Sequence, residues 1–290
     1  MTELPVRFIQ VVGCHQPTPR TIRITFGGSD LADFVFAPDQ QVKLCFPRAG
    51  DSAPRLPAPT PDGDPLPWYQ AYLALPEQER PWMRSYTVRA HRAEQGVIDV
   101  DFALRPDAGP ATRWARTARI GAVIGMVGPS PLFARARPIS ASIDVDGLLL
   151  LVGDESALPG IGTMIESLPA QTRALALIEV ADPADEQRLA TRGEVTVRWL
   201  HRAETRPGTG DLLLPALRAA EFAPERTVAW LAAEAATVRR LRRHLVADRG
   251  LSGRCVEFAG YWRLGRTQDD APTAGDLADA RQRAADMATA

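Results

Sequence analysis

The feature that most constrains this chain is a change of grammar near Gly147. Before it, short β-branched or aromatic runs follow one another across turn residues with no helical period between them; after it, strand, turn and helix alternate. The first pattern predicts an antiparallel barrel, the second a parallel sheet clad by helices on both faces. Barrel strands are expected at 6–12, 21–26, 41–46, 85–89, 97–104 and 122–127, and sheet strands at 148–152, 174–180, 195–200, 227–232 and 255–259. Helices are expected at 158–168, 212–220 and 234–247. The fold class is therefore two-domain, an N-terminal six-stranded antiparallel β-barrel over 1–138 followed by an α/β parallel-sheet domain over 139–266. The join is expected in the polar stretch 135–146, around Pro138. A chain of 290 residues, more than one core usually organises, agrees with two domains.

Two segments stand outside this plan. Proline crowds 47–83, which bars a central strand and predicts an excursion from the barrel. Within it, Trp68, Tyr69, Tyr72 and Leu73 have the spacing of a small satellite core. The tail 267–290 thins into Asp, Ala, Thr and Gln, either as a weak helix carrying Leu277, Ala280, Ala284 and Met287 or as disorder.

Charge excludes some partners. Thirty-four basic against thirty-five acidic side chains leave a net charge of -1, so no global field favours nucleic acid or an anionic membrane. The arginines at 239, 240, 242 and 243 read as the solvated face of a helix whose buried stripe is Val238, Leu241 and Leu245. Cys14, Cys45 and Cys255 lie too far apart for a C-x-x-C metal motif, and His91 has no partner at ligand spacing, so no metal ligands are assigned. The opening MTELPVRFIQ has no apolar leader core and the longest aliphatic run is 148–152, which predicts a cytoplasmic chain without membrane insertion.

Two constellations carry chemistry. In Arg84-Ser85-Tyr86-Thr87-Val88-Arg89, an arginine fork suits a diphosphate, a tyrosine ring can cover an isoalloxazine, and a threonine can hydrogen-bond a flavin nitrogen. The expected arrangement sets Tyr86 on the face opposite Arg84, with Arg84 and Thr87 meeting one ligand only where it spans the strand end. An ordinary edge strand with solvated arginines also fits. In the second, the strand Asp101-Phe102-Ala103-Leu104 runs into Gly109-Pro110-Ala111-Thr112-Arg113-Trp114-Ala115, where Thr112 could cap a helix whose first N–H groups receive phosphate. Simple capping, with Trp114 filling core, remains open.

Five motifs in order carry a resemblance: R-x-Y-T-x-R at 84–89, D-F-x-L with G-P-A-T-x-W-A, G-x-V-G-P at 125–129, G-D-E-S-A-L-P at 153–159 and G-Y-W-R at 260–263. Across about 5–266 the chain resembles the siderophore-interacting proteins, FAD-binding ferric-siderophore reductases of the ferredoxin reductase superfamily. The resemblance implies FAD contacts at Arg84, Ser85, Tyr86, Thr87 and Arg89, with Arg84 on phosphate and with Tyr86 and Thr87 at the reactive ring. It further implies Asp101, Phe102, Ala103 and Leu104 on the pyrimidine side, Gly109, Pro110, Ala111 and Thr112 at the diphosphate, Trp114 as a buttress, and Gly153, Asp154, Glu155 and Ser156 as the nucleotide-facing loop. Pro159-Gly160-Ile161-Gly162 is not a G-x-G-x-x-G fingerprint, because its glycines fall inside the helix.

The implied activity is reduction of a ferric siderophore, with electrons passing from NADH or NADPH through FAD and ferrous iron released. Reduction of the flavin by ferredoxin, or a non-catalytic siderophore-binding role, are the alternatives. An anionic, catecholate-type chelate needs a basic pocket, for which Lys43, Arg105 and Arg263 are the candidates, Arg263 being equally a salt-bridge partner. Arg105 stands where the family usually has histidine, and Ala233 where it usually has glycine before Glu234. Glu179 and Asp182, at the end of the second parallel strand, lean toward NADH; Arg188 and Arg192 downstream keep NADPH open.

Overall fold

The computed structural model describes residues 4–60, 64–105, 109–129, 139, 143 and 147–288, so the expected join at 135–146 lies outside them apart from Ile139 and Ile143. The chain divides into two compact units, Met1–Ala136 and Arg137–Ala290.

The first unit is a closed antiparallel barrel of β1 (Val6–Thr18), β2 (Thr21–Gly27), β3 (Gln41–Phe46), β4 (Trp82–Arg92), β5 (Val97–Ala103) and β6 (Val123–Val127), in the order β1-β2-β5-β4-β3-β6. Inward positions Ile9, Ile24, Phe26, Leu44, Phe46, Val88, Ile98, Val100, Phe102, Ile124 and Met126 form one buried cluster. β1 runs on past the expected end at Val12, because Gly13 falls at a register shift rather than a turn. β4 starts at Trp82, paired with Phe46, where the arginine and serine of the hexapeptide had masked its beginning.

Helix α1 (Pro65–Ala74) lies in the proline-rich excursion, capped by the Asp64 carboxylate on the Leu66 N–H at 2.9 Å. Its Trp68 and Tyr72 bury against Leu4, Cys45 and Val127, with Leu56 and Met83 alongside, so the expected satellite core forms from two of its four residues, while Tyr69 and Leu73 face outward and are exposed. Gly125 is required here: a Cβ would sit 2.6 Å from Leu56 Cδ1 and 3.2 Å from Cys45 Cβ. Helix α2 (Pro110–Thr117) lays Ala111, Ala115 and Trp114 on the barrel core, with the Trp114 ring 5.2 Å from Phe46 and 6.2 Å from Phe102.

The second unit holds a parallel sheet of β7 (Leu148–Asp154), β8 (Arg173–Val180), β9 (Glu194–His201), β10 (Thr227–Glu234) and β11 (Val256–Trp262), in the order β11-β10-β7-β8-β9. Alternation along β7 splits its leucines between two faces. Leu149 and Leu151 pack with Ile161, Met164 and Ile165 of α3 (Leu158–Glu166). Leu150 and Val152 pack with Leu213 and Leu217 of α4 (Leu213–Arg218) and Val238 and Leu241 of α5 (Ala235–Arg243). Strand order reverses between β7 and β10, so the topological switch point, where such sheets take their ligands, falls at the carboxyl ends of those two strands.

The tail beyond Arg266 forms α6 (Ala274–Ala288), settling the choice between helix and disorder. Ion pairs dock it: Asp276 meets Arg263 at 2.8 Å and Asp279 meets Arg239 at 3.0 Å, while of the expected apolar stripe Leu277 and Ala280 are exposed and the side chains of Ala284 and Met287 lie outside the described ones. The arginines of α5 are thus not merely solvated. Arg239 holds the tail, Arg240 faces Asp211 at 3.4 Å, and Arg242 lies 4.7 Å over the Phe258 ring. Among the described residues, no helix is long and apolar enough to cross a membrane.

Candidate functional site

In the first unit, β3 and β4 pair Leu44 with Arg84, Lys43 with Ser85, Val42 with Tyr86 and Gln41 with Thr87. Arg84 and Tyr86 therefore share the face of the buried Leu44 and Val42, correcting the expectation that they oppose each other; residues two apart on a strand point the same way. Tyr86 packs 4.5 Å from Phe102 and 6.2 Å from Phe46, ring centre to ring centre. Its burial drives the phenol pKa well above the ordinary value, against the pull of Arg84 and Arg105, so the hydroxyl stays protonated.

On the other face, Lys43 Nζ donates to Ser85 Oγ at 2.6 Å. Lost hydration lowers the Lys43 pKa, an effect to be discounted because the side chain as a whole is exposed. Thr87 is 5% exposed, and its Oγ1 has no hydrogen-bond partner among the described residues. A buried hydroxyl without a partner is costly, and a ligand that accepts its hydrogen bond would remove that cost. Arg89 is also buried.

On β5, Asp101 receives two hydrogen bonds from Arg23, at 2.6 and 2.8 Å, so its carboxylate is committed to the barrel wall. Phe102 is fully buried, leaving the backbone of this segment as its ligand-facing part. The Ala103 carbonyl accepts from Thr112 Oγ1 at 3.5 Å, and the Leu104 N–H bonds to the Arg20 carbonyl at 2.8 Å. Thr112 is not the helix cap it was expected to be. Gly109 is the N-cap, without any side-chain cap, and Pro110 starts the helix. The first-turn N–H groups of Ala111 and Thr112 have no acceptor within the helix, the chemistry that an anionic ligand would need there.

These features fit a flavin dinucleotide: a buried hydroxyl lacking a partner, two arginines whose charges act on a neutral tyrosine, and an uncapped helix start on neighbouring strands. Trp114, packed into the aromatic core, buttresses α2.

In the second unit, Gly153 closes the turn from β7 into α3, where a Cβ would meet Ala157 Cβ at 2.5 Å and the Ala232 carbonyl at 2.6 Å. Gly160 and Gly162 lie within α3, as expected. Asp154 accepts from the Ser156 N–H at 2.8 Å, from Ser156 Oγ at 2.5 Å and from the Trp262 indole at 2.6 Å. Two of the motifs, G-D-E-S and G-Y-W-R, are thereby joined by one hydrogen bond. Glu155 is paired with the buried Arg202 at 2.7 Å. Glu234 caps α5 through Ala236 and Thr237 and accepts from the Leu264 N–H at 3.3 Å.

Three readings of this unit change. Arg263 spends its donors on Asp276 and on the Thr267 and Asp270 carbonyls, so its geometry fits the salt-bridge alternative and not the basic pocket. Asp182 caps the Ala184 N–H, and Glu179 is buried with Arg202 3.9 Å away, so neither is the open acid on which the lean toward NADH rested. Arg188 and Arg192 are exposed. Sequence reasoning passed over Arg202 and the Trp262–Asp154 bond. The rule that ligands meet the carboxyl ends of parallel strands points to this rim, but side-chain partners across it cannot be read from spacing.

Residues 10–132 match the siderophore-interacting FAD-binding domain, and 147–265 match the siderophore-interacting protein domain. The crystal structure of a siderophore utilization protein from T. fusca superposes with a TM-score of 0.77 at 35% identity, covering 93% of this chain and 97% of that one. This chain belongs to the siderophore-interacting protein family. Among other members, the ferric vibriobactin reductase ViuB of Vibrio cholerae is 27% identical over 271 residues, 91% of each chain. Beyond the family, the ferredoxin reductase of carbazole 1,9a-dioxygenase shares the fold, with a TM-score of 0.60 at 16% identity over 89% of this chain and 70% of that one. As a siderophore-interacting protein the chain pairs the family's barrel with its α/β domain in a ferredoxin-reductase-like fold.

Proposed function

We propose that this chain is an FAD-containing, NAD(P)H-dependent ferric-siderophore reductase working in the cytoplasm. The observation that carries the reading is the buried Thr87 hydroxyl without a partner among the described residues, on the motif strand whose opposite face carries Tyr86 and Arg84. The reductase named for vibriobactin, similar over nine-tenths of both chains, supports it from outside.

FAD when bound supplies the conversion of a two-electron hydride donor into one-electron transfers to ferric iron. The chain's residues do the rest. Thr87 donates its hydroxyl to the ring system without any fresh desolvation cost, because that cost is already met in the fold. Tyr86, held protonated by burial, covers the ring as a neutral aromatic surface. Arg84 and the first N–H groups of α2 balance the diphosphate charge. Lys43 and Arg105 attract an anionic ferric chelate of catecholate type. Reduction loosens the chelate, since hard oxygen donors hold ferric iron more firmly than ferrous iron.

The test is anaerobic addition of NADH or NADPH, then of several ferric chelates, with a ferrous trap as the readout. Flavin bleaching followed by trapped ferrous iron is expected. Bleaching only with reduced ferredoxin would move the electron donor, and no iron reduction with any chelate would remove the reductase.

A further inference from the structure

We propose that Arg202 sets how the α/β unit treats the adenosine ribose of its nucleotide: it ties Glu179 to Glu155, withdraws Glu179 as a ribose-hydroxyl acceptor, and so lets the site tolerate a 2′-phosphate. The inference rests on the reading above that a pyridine nucleotide binds this unit.

Glu179 sits near the end of β8, in register with Asp154 on β7 and Leu200 on β9. In a sheet of this order, an acid at the end of the second strand accepts the ribose hydroxyls and repels a 2′-phosphate. Here that acid is not left to do so. Arg202 follows β9 directly, anchored by its N–H on the Val180 carbonyl at 3.1 Å, so the ladder itself sets where its guanidinium lies. Its Nη1 is 2.7 Å from Glu155 and 3.9 Å from Glu179, and the three side chains are 6%, 12% and 8% exposed. A cation this close cancels much of the field that an isolated Glu179 would direct at a phosphate. The other acids on this rim are also engaged, Asp154 by Ser156 and Trp262, and Glu234 by the first amides of α5.

Charge arithmetic gives two variants of opposite sign. In the wild type, two carboxylates and one guanidinium leave the cluster at one negative charge. Glu155→Gln makes it neutral while keeping an amide oxygen for Arg202 to donate to; Arg202→Gln makes it more negative and uncovers Glu179. A unit charge about 10 Å from the phosphate, at an effective dielectric of about 20, changes affinity by roughly tenfold or more for each negative charge the phosphate carries. The measurement is calorimetric binding of 5′-AMP and of 2′,5′-ADP to the flavin-loaded protein, a readout that needs no turnover, beside the Michaelis constants for NADH and NADPH. Wild type is expected to bind both fragments, with a ratio between those of the two variants. The ratio should move roughly tenfold or more toward 2′,5′-ADP in Glu155→Gln and roughly tenfold or more away from it in Arg202→Gln. Should Arg202→Gln fail to fold, Glu155→Gln decides alone. Binding of both fragments with an unchanged ratio in Glu155→Gln overturns this inference and leaves the donor assignment standing. Binding of neither fragment, with no flavin reduction by either nucleotide, overturns the donor assignment and this inference with it.

Discussion

Thr87→Val should change sign between the flavin-free and flavin-loaded protein, which separates a site residue from a structural one. The substitution keeps the branched shape and strand preference of the side chain and removes only a hydroxyl. That hydroxyl is buried with no partner among the described residues, and a group left so costs about 1–3 kcal/mol. Removing it should stabilise the apoprotein by about 1 kcal/mol, roughly 2–4 °C in melting temperature for a domain of this size. In the loaded protein the hydroxyl is satisfied, so the variant loses a hydrogen bond together with the relief of its earlier desolvation. Together these amount to about 1–3 kcal/mol, or roughly 5- to 150-fold in the FAD dissociation constant. The assay is thermal melting of stripped protein, paired with fluorescence titration of FAD into it. An apoprotein destabilised by the change, with FAD affinity unaltered, would falsify the assignment of Thr87 to the flavin site.

Other consequences are as direct. Trp262→Phe removes a charge-assisted hydrogen bond to Asp154 and should cost about 1.5–3 kcal/mol in the second unit, raising the nicotinamide Michaelis constant without changing flavin content; unaltered urea unfolding and kinetics would rule out this latch. Burial pushes the Cys45 thiol up to about 12, outweighing the opposing pull of Lys43. In native protein at pH 8, a thiol reagent should therefore modify exposed Cys14 and spare Cys45, and mass spectrometry showing early modification of Cys45 would contradict the buried packing. For Asp99, burial alone raises the pKa, but hydrogen bonds from Arg92 and Thr25 and the charges of Arg92 and Arg23 outweigh it, and the net shift is downward from 3.8. Because the folded pKa is depressed, this group's stabilisation is fully present above the unfolded value and is lost as pH falls below about 4. Asp99→Asn should be less stable than wild type at pH 6, with the gap narrowing toward pH 3; a gap in the urea midpoint that stays constant would count against it.

The elements were legible because local patterns impose them. Period-two runs such as 97–104 and the aliphatic run at 148–152 have few ways to bury themselves, and the observed strands Val97–Ala103 and Leu148–Asp154 follow them closely. The boundaries that moved did so for non-local reasons. β1 passes Gly13 because β2 offers a partner across the bulge, and β4 begins early because Phe46 pairs with Trp82. The motif residues were also legible one by one, yet their surroundings were not: Thr112 looks like a cap until Gly109 takes that place, and Arg263 looks available until Asp276 takes it.

By itself, the sequence determined the division into barrel and parallel sheet, the satellite core of Trp68 and Tyr72, and the family. Those depend on periodicity, turn chemistry and residue order, which neighbours along the chain supply. Only the tertiary structure decided which polar groups are spent and which are left over. Asp101, Asp154, Glu155 and Arg263 are taken up by partners 78, 108, 47 and 13 positions away, whereas the Thr87 hydroxyl is buried without one. The physical reason is that a side chain's hydrogen-bonding capacity is used up by whatever the fold brings within about 3 Å of it, and no spacing rule along the chain encodes that distance.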